Sequence, residues 1–202
     1  MTIIEYYKWL KKEWAKVGLI LSIFLFAILF VIVRQYDFVI FVLLLHTPLY
    51  MLHQTEEYVF PGGFTEFFTT KIFNLKKEDT PLNEDFIFFV NISLIWIVLP
   101  VFALLSTINY QYGLWIPYFS LFAGVAHIVL AIKAKKMYNP GLAVSLFLNI
   151  PVGLWSIIYL ENIGILSNLF LNLYMWIGLG INAALPVLGV FLYKNYRKSA
   201  SK

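Results

Sequence analysis

The sequence contains no cysteine, which excludes disulfide scaffolds, thiolate metal sites, iron–sulfur clusters and cysteine nucleophiles. Charged residues are also scarce: they make up 13% of the 202 residues, roughly half the share found in an ordinary soluble domain. Hydrophobic residues reach 61%, which excludes intrinsic disorder. The basic residues form no soluble basic face, so no nucleic-acid partner is expected. These proportions indicate an integral membrane protein.

Apolar runs of spanning length dominate the chain. A helix that crosses the hydrocarbon core needs about 20 mainly apolar residues, and the runs here are continuous rather than alternating, which argues against transmembrane strands. We therefore predict an all-α polytopic membrane protein, a six-transmembrane-helix bundle that forms a single domain over residues 1–202. The predicted spans are about 17–33, 38–57, 86–106, 112–132, 141–160 and 168–193.

The distribution of lysine and arginine predicts the orientation of the bundle. If the N-terminus is cytoplasmic, fourteen of the 15 basic residues fall in the inner segments, and only Arg34 faces outside. Both termini are therefore expected in the cytoplasm, in a multi-pass protein of the cytoplasmic membrane. The last inner segment carries Lys194, Arg197, Lys198 and Lys202. Residues 2–16 mix lysines with tryptophan and tyrosine, a composition that predicts a short helix in the headgroup layer. Residues 64–73 are also expected along the membrane surface.

Ionisable residues inside spans are costly and by default mark a functional interior. All three histidines of this chain, His46, His53 and His127, lie within predicted spans. His53, Glu56 and Glu57 stand at positions i, i+3 and i+4, so they share one face of a helix. This spacing allows an imidazole and a carboxylate to bind one cation.

The depth of the polar residues predicts a single site in the inner half of the bundle. His53, His127 and Asn91 each lie roughly 8–10 Å from the cytoplasmic end of their helices, at 1.5 Å per residue. His46 lies roughly 10 Å deeper than His53 on the same face, so it is expected to support the site rather than to bind the same ion.

The motif His53-Gln54-Thr55-Glu56-Glu57, followed by Tyr58-Val59-Phe60-Pro61-Gly62-Gly63-Phe64, resembles the signature of the HXXEE-motif membrane protein family. Asn91, His127 and Tyr138-Asn139-Pro140-Gly141 are similar to later motifs of that family. The family pattern also has a threonine shortly after the Pro-Gly, where this chain has Val144 and Ser145. The resemblance implies a small multi-span bacterial membrane protein and favours a metalloenzyme, without naming a substrate.

A ligand set of imidazole and carboxylate suits zinc first, with iron or manganese as alternatives. We predict His53, Glu57 and His127 as metal ligands, with Glu56 and Glu57 as catalytic residues; which glutamate is the ligand and which the general base stays open. The supporting or substrate-binding candidates are His46, Asn91, Asn139 and Asn149. This arrangement favours hydrolysis of a membrane lipid or another lipophilic, membrane-embedded substrate.

Two other classes of function remain open. Intramembrane histidine and glutamate also serve in proton- or ion-coupled transporters and relays, although no internal repeat supports a transporter here. The other class is a non-catalytic membrane protein, in which the motif would have only a structural role. A metal-free hydrolase based on paired glutamates is a variant of the enzyme hypothesis.

Overall fold

Six long helices form the bundle, as the sequence predicted. The computed structural model describes residues 2–200, apart from the side chains of four residues near the C-terminus. Two of the basic residues that predict the orientation are therefore not fully described: the side chain of Arg197 and the whole of Lys202. All regular structure in residues 2–200 is helical. The helices are α1 (Ile3–Tyr36), α2 (Phe38–Tyr58), α3 (Glu84–Leu105), α4 (Tyr110–Ala134), α5 (Leu142–Asn162) and α6 (Leu173–Ala200).

Helix α1 begins much earlier than the predicted first span. Thr2 Oγ1 accepts from the backbone N–H of Glu5 at 3.2 Å, and the Glu5 carboxylate accepts from the N–H of Thr2 at 2.7 Å. This reciprocal pair is a capping box, which satisfies two N–H groups that a helix start otherwise leaves free. The segment that we expected as a separate short helix is therefore the first part of one continuous helix.

Helix α2 lies at the centre of the bundle and packs against α1, α3, α4 and α5. Seventeen of its 21 residues are buried, including its histidines and both glutamates. The apolar part of the core lies around it, where Tyr50 stacks on Phe119 of α4 at 5.0 Å between ring centroids. Because lipid tails are as apolar as leucine, close packing and interhelical hydrogen bonds are what hold such a bundle together. A central α2 places every polar side chain of the motif inside protein.

Two helices widen into π-helical turns ahead of a proline. In α3 the widened segment is Ile92–Val98, before Pro100, and in α5 it is Ser145–Asn149, before Pro151. Proline has no N–H to donate, and its ring displaces the carbonyl four residues earlier, which here falls inside each widened segment. Such turns re-aim side chains and are frequent at functional sites. In α5 the wide turn ends at Asn149, which faces the motif on α2.

The connection after α2 folds back over the same end of the bundle. Gly62 and Gly63 take left-handed conformations, with φ of 74° and 89°, which glycine adopts without a Cβ penalty. A short helix follows over Phe64–Phe67 and continues as a π-helical turn over Phe68–Ile72. Phe73 then stacks on Tyr193 of α6 at 4.8 Å. We call residues 64–73 the connecting helix.

Candidate metal centre

Two histidines and one glutamate meet between α2 and α4. The Glu57 Oε1 atom lies 3.6 Å from His53 Nε2 and 3.4 Å from His127 Nε2. One ligand atom from each of the three residues lies within 4.8 Å of the others, and all three side chains are buried. The spacing of one helical turn between His53 and Glu57 aims both side chains at α4. The structure thus brings together the three residues predicted as metal ligands.

Asn139 orients the ring of His127. Its Oδ1 lies 2.7 Å from His127 Nδ1, and its Nδ2 donates to the backbone carbonyl of the same histidine at 2.9 Å. The second bond fixes which end of the amide is the acceptor, so Nδ1 of His127 carries the proton. In the neutral ring Nε2, which faces Glu57, is then the nitrogen without a proton, and this is the tautomer that a metal requires.

Asn149 lies behind the ring of His53 on the other side. Its Nδ2 is 3.3 Å from His53 Nδ1, whereas its buried Oδ1 has no hydrogen-bond partner among the described residues. In this orientation Asn149 donates to Nδ1, and His53 Nε2 carries a proton toward Glu57. Rotation of the amide by half a turn would give Oδ1 the Nδ1–H as its partner and leave Nε2 free for a metal.

Glu56 does not join the cluster. Its Oε1 accepts from the hydroxyl of Tyr138 at 2.8 Å and from the N–H of Ala143 at 3.0 Å, and its Oε2 accepts from the N–H of Val144 at 2.6 Å. A carboxylate at a helix N-terminus satisfies free N–H groups and complements the helix dipole. The adjacent glutamates of the motif therefore do different work: Glu57 faces the histidines, and Glu56 fastens the start of α5 to α2.

Gly141 allows α5 to begin against the two histidines. Its φ of +99° lies in the region that favours glycine, and a Cβ there would meet Cε1 of His127 and would lie 2.9 Å from Cε1 of His53. No larger residue fits without displacing one of the rings. The Asn139-Pro140-Gly141 turn therefore supplies both the amide that orients His127 and the space that the imidazoles occupy.

The remaining candidates lie farther from the cluster. His46 is fully buried, and its Nε2 contacts Ser156 Oγ at 3.2 Å, one layer deeper between α2 and α5. Asn91 accepts from Gln54 Nε2 at 2.9 Å and donates to the Ile87 carbonyl, so it joins α3 to α2. Asn91 also lines the cavity described below. Among the described residues, no hydrogen bond or ion pair joins His46 or Asn91 to the three clustered side chains.

Sequence reasoning missed Tyr138 as a functional residue. Desolvation, followed by the hydrogen bond to the Glu56 carboxylate, raises the pKa of Tyr138, so its hydroxyl stays a donor. Its position directly before Asn139-Pro140-Gly141 was the available signal. The backbone N–H groups of Ala143 and Val144 also bind Glu56. The sequence carries no signal for them, because every residue except proline has the same backbone N–H group.

A cavity of about 850 Å³ adjoins the cluster, near the upper end of the range for ligand pockets. His53, Glu57 and His127 form part of its wall, and most of the remaining lining is apolar. The cavity lies among α2, α3, α4 and α6, and the connecting helix contributes Phe64 and Phe68. The cluster is thus accessible to an apolar molecule.

Comparison with protein-family models gives one match. A family described as proteins of unknown function with an HXXEE motif matches residues 44–156, more than half of the chain. The chain belongs to the HXXEE family. Comparisons with curated proteins and with solved structures gave no match. The matched range contains the HXXEE motif at residues 53–57, His127, and the two asparagines that contact the imidazole rings, Asn139 and Asn149. Helices α1 and α6 lie outside this range.

Proposed function

We propose that this HXXEE protein is a metal-dependent integral membrane hydrolase that acts on a lipid or another membrane-embedded substrate. The observation that carries the proposal is the buried cluster of His53, Glu57 and His127 in the wall of an apolar cavity. Buried ionisable groups in a membrane protein are costly and are usually functional. The position of the motif near the inner ends of the helices, inferred from the basic residues, would place the site on the cytoplasmic side of a cytoplasmic membrane.

The residues present suit a divalent metal ion. Two imidazoles and a carboxylate form a donor set for zinc, iron or manganese, with zinc as our first choice. Asn149 is compatible with this assignment, because a half-turn of its amide lets Oδ1 accept from Nδ1 of His53 and leaves Nε2 of His53 free for a metal. Asn139 already holds His127 in the matching tautomer. Such partners behind the ligands tune the orientation and basicity of the imidazoles.

A metal with three protein ligands supplies, when bound, a Lewis acid and an activated water. The rest of the chemistry rests on this chain's own residues. Glu57 provides the negative charge of the ligand set, and Asn139 and Asn149 keep the imidazoles in position. The apolar lining excludes bulk water, which strengthens the electrostatic interactions inside the site. Glu56 acts as an anchor for α5, since hydrogen bonds occupy both of its oxygens.

Elemental analysis of the detergent-purified protein tests the proposal. We expect about one metal ion per chain, lost in His53→Ala and retained in His46→Ala, which removes a buried histidine outside the cluster. Hydrolysis of a long-chain nitrophenyl ester should stop on chelation and return when zinc is added. Fully folded wild-type protein without metal would rule out the metalloenzyme. Ion flux in proteoliposomes that depends on His53, without hydrolysis, would favour a relay instead.

A further inference from the structure

The cavity is long in the direction of the bundle. Its lining on α4 runs from Phe119 to Lys133, and on α6 from Leu179 to Lys194. At 1.5 Å rise per residue each of these segments is about 20 Å long. One leaflet of the hydrocarbon core is about 15 Å thick, so the cavity can accept an extended acyl chain lying parallel to the chains of the surrounding lipid.

Charge in the cavity is confined to two places. Lys133 and Lys194 line its end at the C-termini of α4 and α6, and Glu57 is the only carboxylate in its lining among the described residues. Neither lysine makes an ion pair with any carboxylate that the structure describes. Lys135 and Lys136, at the same end of α4, line a different pocket. The two cations at the rim of this cavity are therefore available to an anionic group of a bound molecule.

The wall of the cavity has a gap between α3 and α6. Helix α6 packs against α4, but no comparable packing joins α6 to α3. Both α3 and α6 line the cavity, so direct packing between these two helices does not close its wall. Phe68 and Phe73 of the connecting helix pack near Gly189 and Tyr193 of α6 across the charged end. In a bilayer, this gap would let a molecule that is already in the membrane reach the cavity from the side.

We propose that the cavity binds an acyl lipid with an anionic headgroup, its phosphate or carboxylate at Lys133 and Lys194 and its acyl chain along α4 and α6. His127 is six residues, or roughly 9 Å, from Lys133 along α4. The metal centre would therefore face the junction between headgroup and chain, where the acyl bond lies. This inference rests on the proposed hydrolase function. Hydrolysis there adds hydroxyl to the acyl carbon and a proton to the departing oxygen or nitrogen.

Binding of two lysolipids to the protein in phosphatidylcholine nanodiscs tests the proposal. Palmitoyl-lysophosphatidylglycerol is anionic, and palmitoyl-lysophosphatidylcholine has the same chain with no net charge. We expect the anionic lipid to bind about tenfold more tightly, since two partly exposed charge contacts contribute about that much. The double variant Lys133→Gln/Lys194→Gln should lose this preference. The control Lys12→Gln/Lys136→Gln, with the same change in net charge outside the cavity, should keep it.

A steric pair tests the position of the chain. Ala183 lines the cavity and its neighbour Ala184 does not, so Ala183→Trp should abolish binding of both lysolipids and Ala184→Trp should not. Equal binding of the two lipids, or a preference that survives the lysine substitutions, would overturn the proposal. The protein is stripped of metal with chelator before these measurements. A failure here therefore leaves the metal analysis intact, and absence of metal leaves the binding result valid.

Discussion

The adjacent glutamates Glu56 and Glu57 should respond in opposite ways to the same substitution. Glu56→Gln retains only one carbonyl oxygen, whereas the carboxylate accepts three hydrogen bonds at the start of α5. At least one N–H is then buried without an acceptor, at a cost of about 1–3 kcal/mol. The surviving bonds lose charge assistance and about half of their strength. We expect the free energy of unfolding to fall by about 2–4 kcal/mol in total.

Glu57→Gln should instead leave the fold nearly unchanged. Its remaining oxygen can still accept from a protonated imidazole nitrogen, so the stability of the metal-free protein should change by about 1 kcal/mol or less. The substitution removes the anionic member of the proposed ligand set, and bound metal should be lost. The two variants differ in position by one residue and are identical in chemistry, so each is the control for the other.

Thermal unfolding in detergent, followed by circular dichroism after chelation, measures the first effect. For a chain of this length, 2–4 kcal/mol corresponds to a fall in Tm on the order of 10 °C. Elemental analysis of the unchelated samples measures the second effect. A Glu56→Gln protein that unfolds at the wild-type temperature but lacks metal would refute the division of roles. So would a Glu57→Gln protein that binds metal normally.

Three further predictions concern the turn before α5. Gly141→Ala should lower the free energy of unfolding by about 1–3 kcal/mol more than Gly164→Ala. Both glycines have positive φ, but only Gly141 has imidazoles where the Cβ would lie, so equal losses would contradict the packing argument. Asn139→Ala should weaken metal binding by about 10–100-fold in competition with a chelating indicator, and unchanged affinity would remove Asn139 from the site. The raised pKa of Tyr138 means that its hydroxyl contributes stability below the ordinary tyrosine pKa of 10.0 and loses that contribution as pH rises through the higher native value. The Tm difference between wild type and Tyr138→Phe should therefore be constant up to about pH 10 and shrink above it; a difference that grows with pH would contradict the hydrogen bond to Glu56.

The fold was largely predictable because the bilayer imposes a simple constraint. Every backbone polar group in hydrocarbon must be paired within its own helix, so runs of apolar residues translate directly into spans. The prediction of six spans is confirmed. The start of α1 differs from the prediction, because the composition of residues 2–16 indicates a helix in the headgroup layer, whereas the Thr2–Glu5 capping box begins one continuous helix there. The wide turns of α3 and α5 depend on how proline is accommodated within a packed bundle, which the sequence alone leaves open.

The depth of the polar residues along their helices predicts which histidines meet in the cluster. It does not predict which of the two glutamates joins them. His53 and His127 were placed at a similar distance from the inner helix ends, and in the structure their rings lie 4.6 Å apart between centroids. Glu56 and Glu57, by contrast, lie about 100° apart around α2, on either side of the direction of His53. Which of them faces the second histidine depends on where α4 and α5 pack around α2, and that arrangement is a property of the whole bundle. The motif therefore makes two sets of contacts within five residues: His53 and Glu57 face His127 of α4, and Glu56 holds the start of α5 against α2.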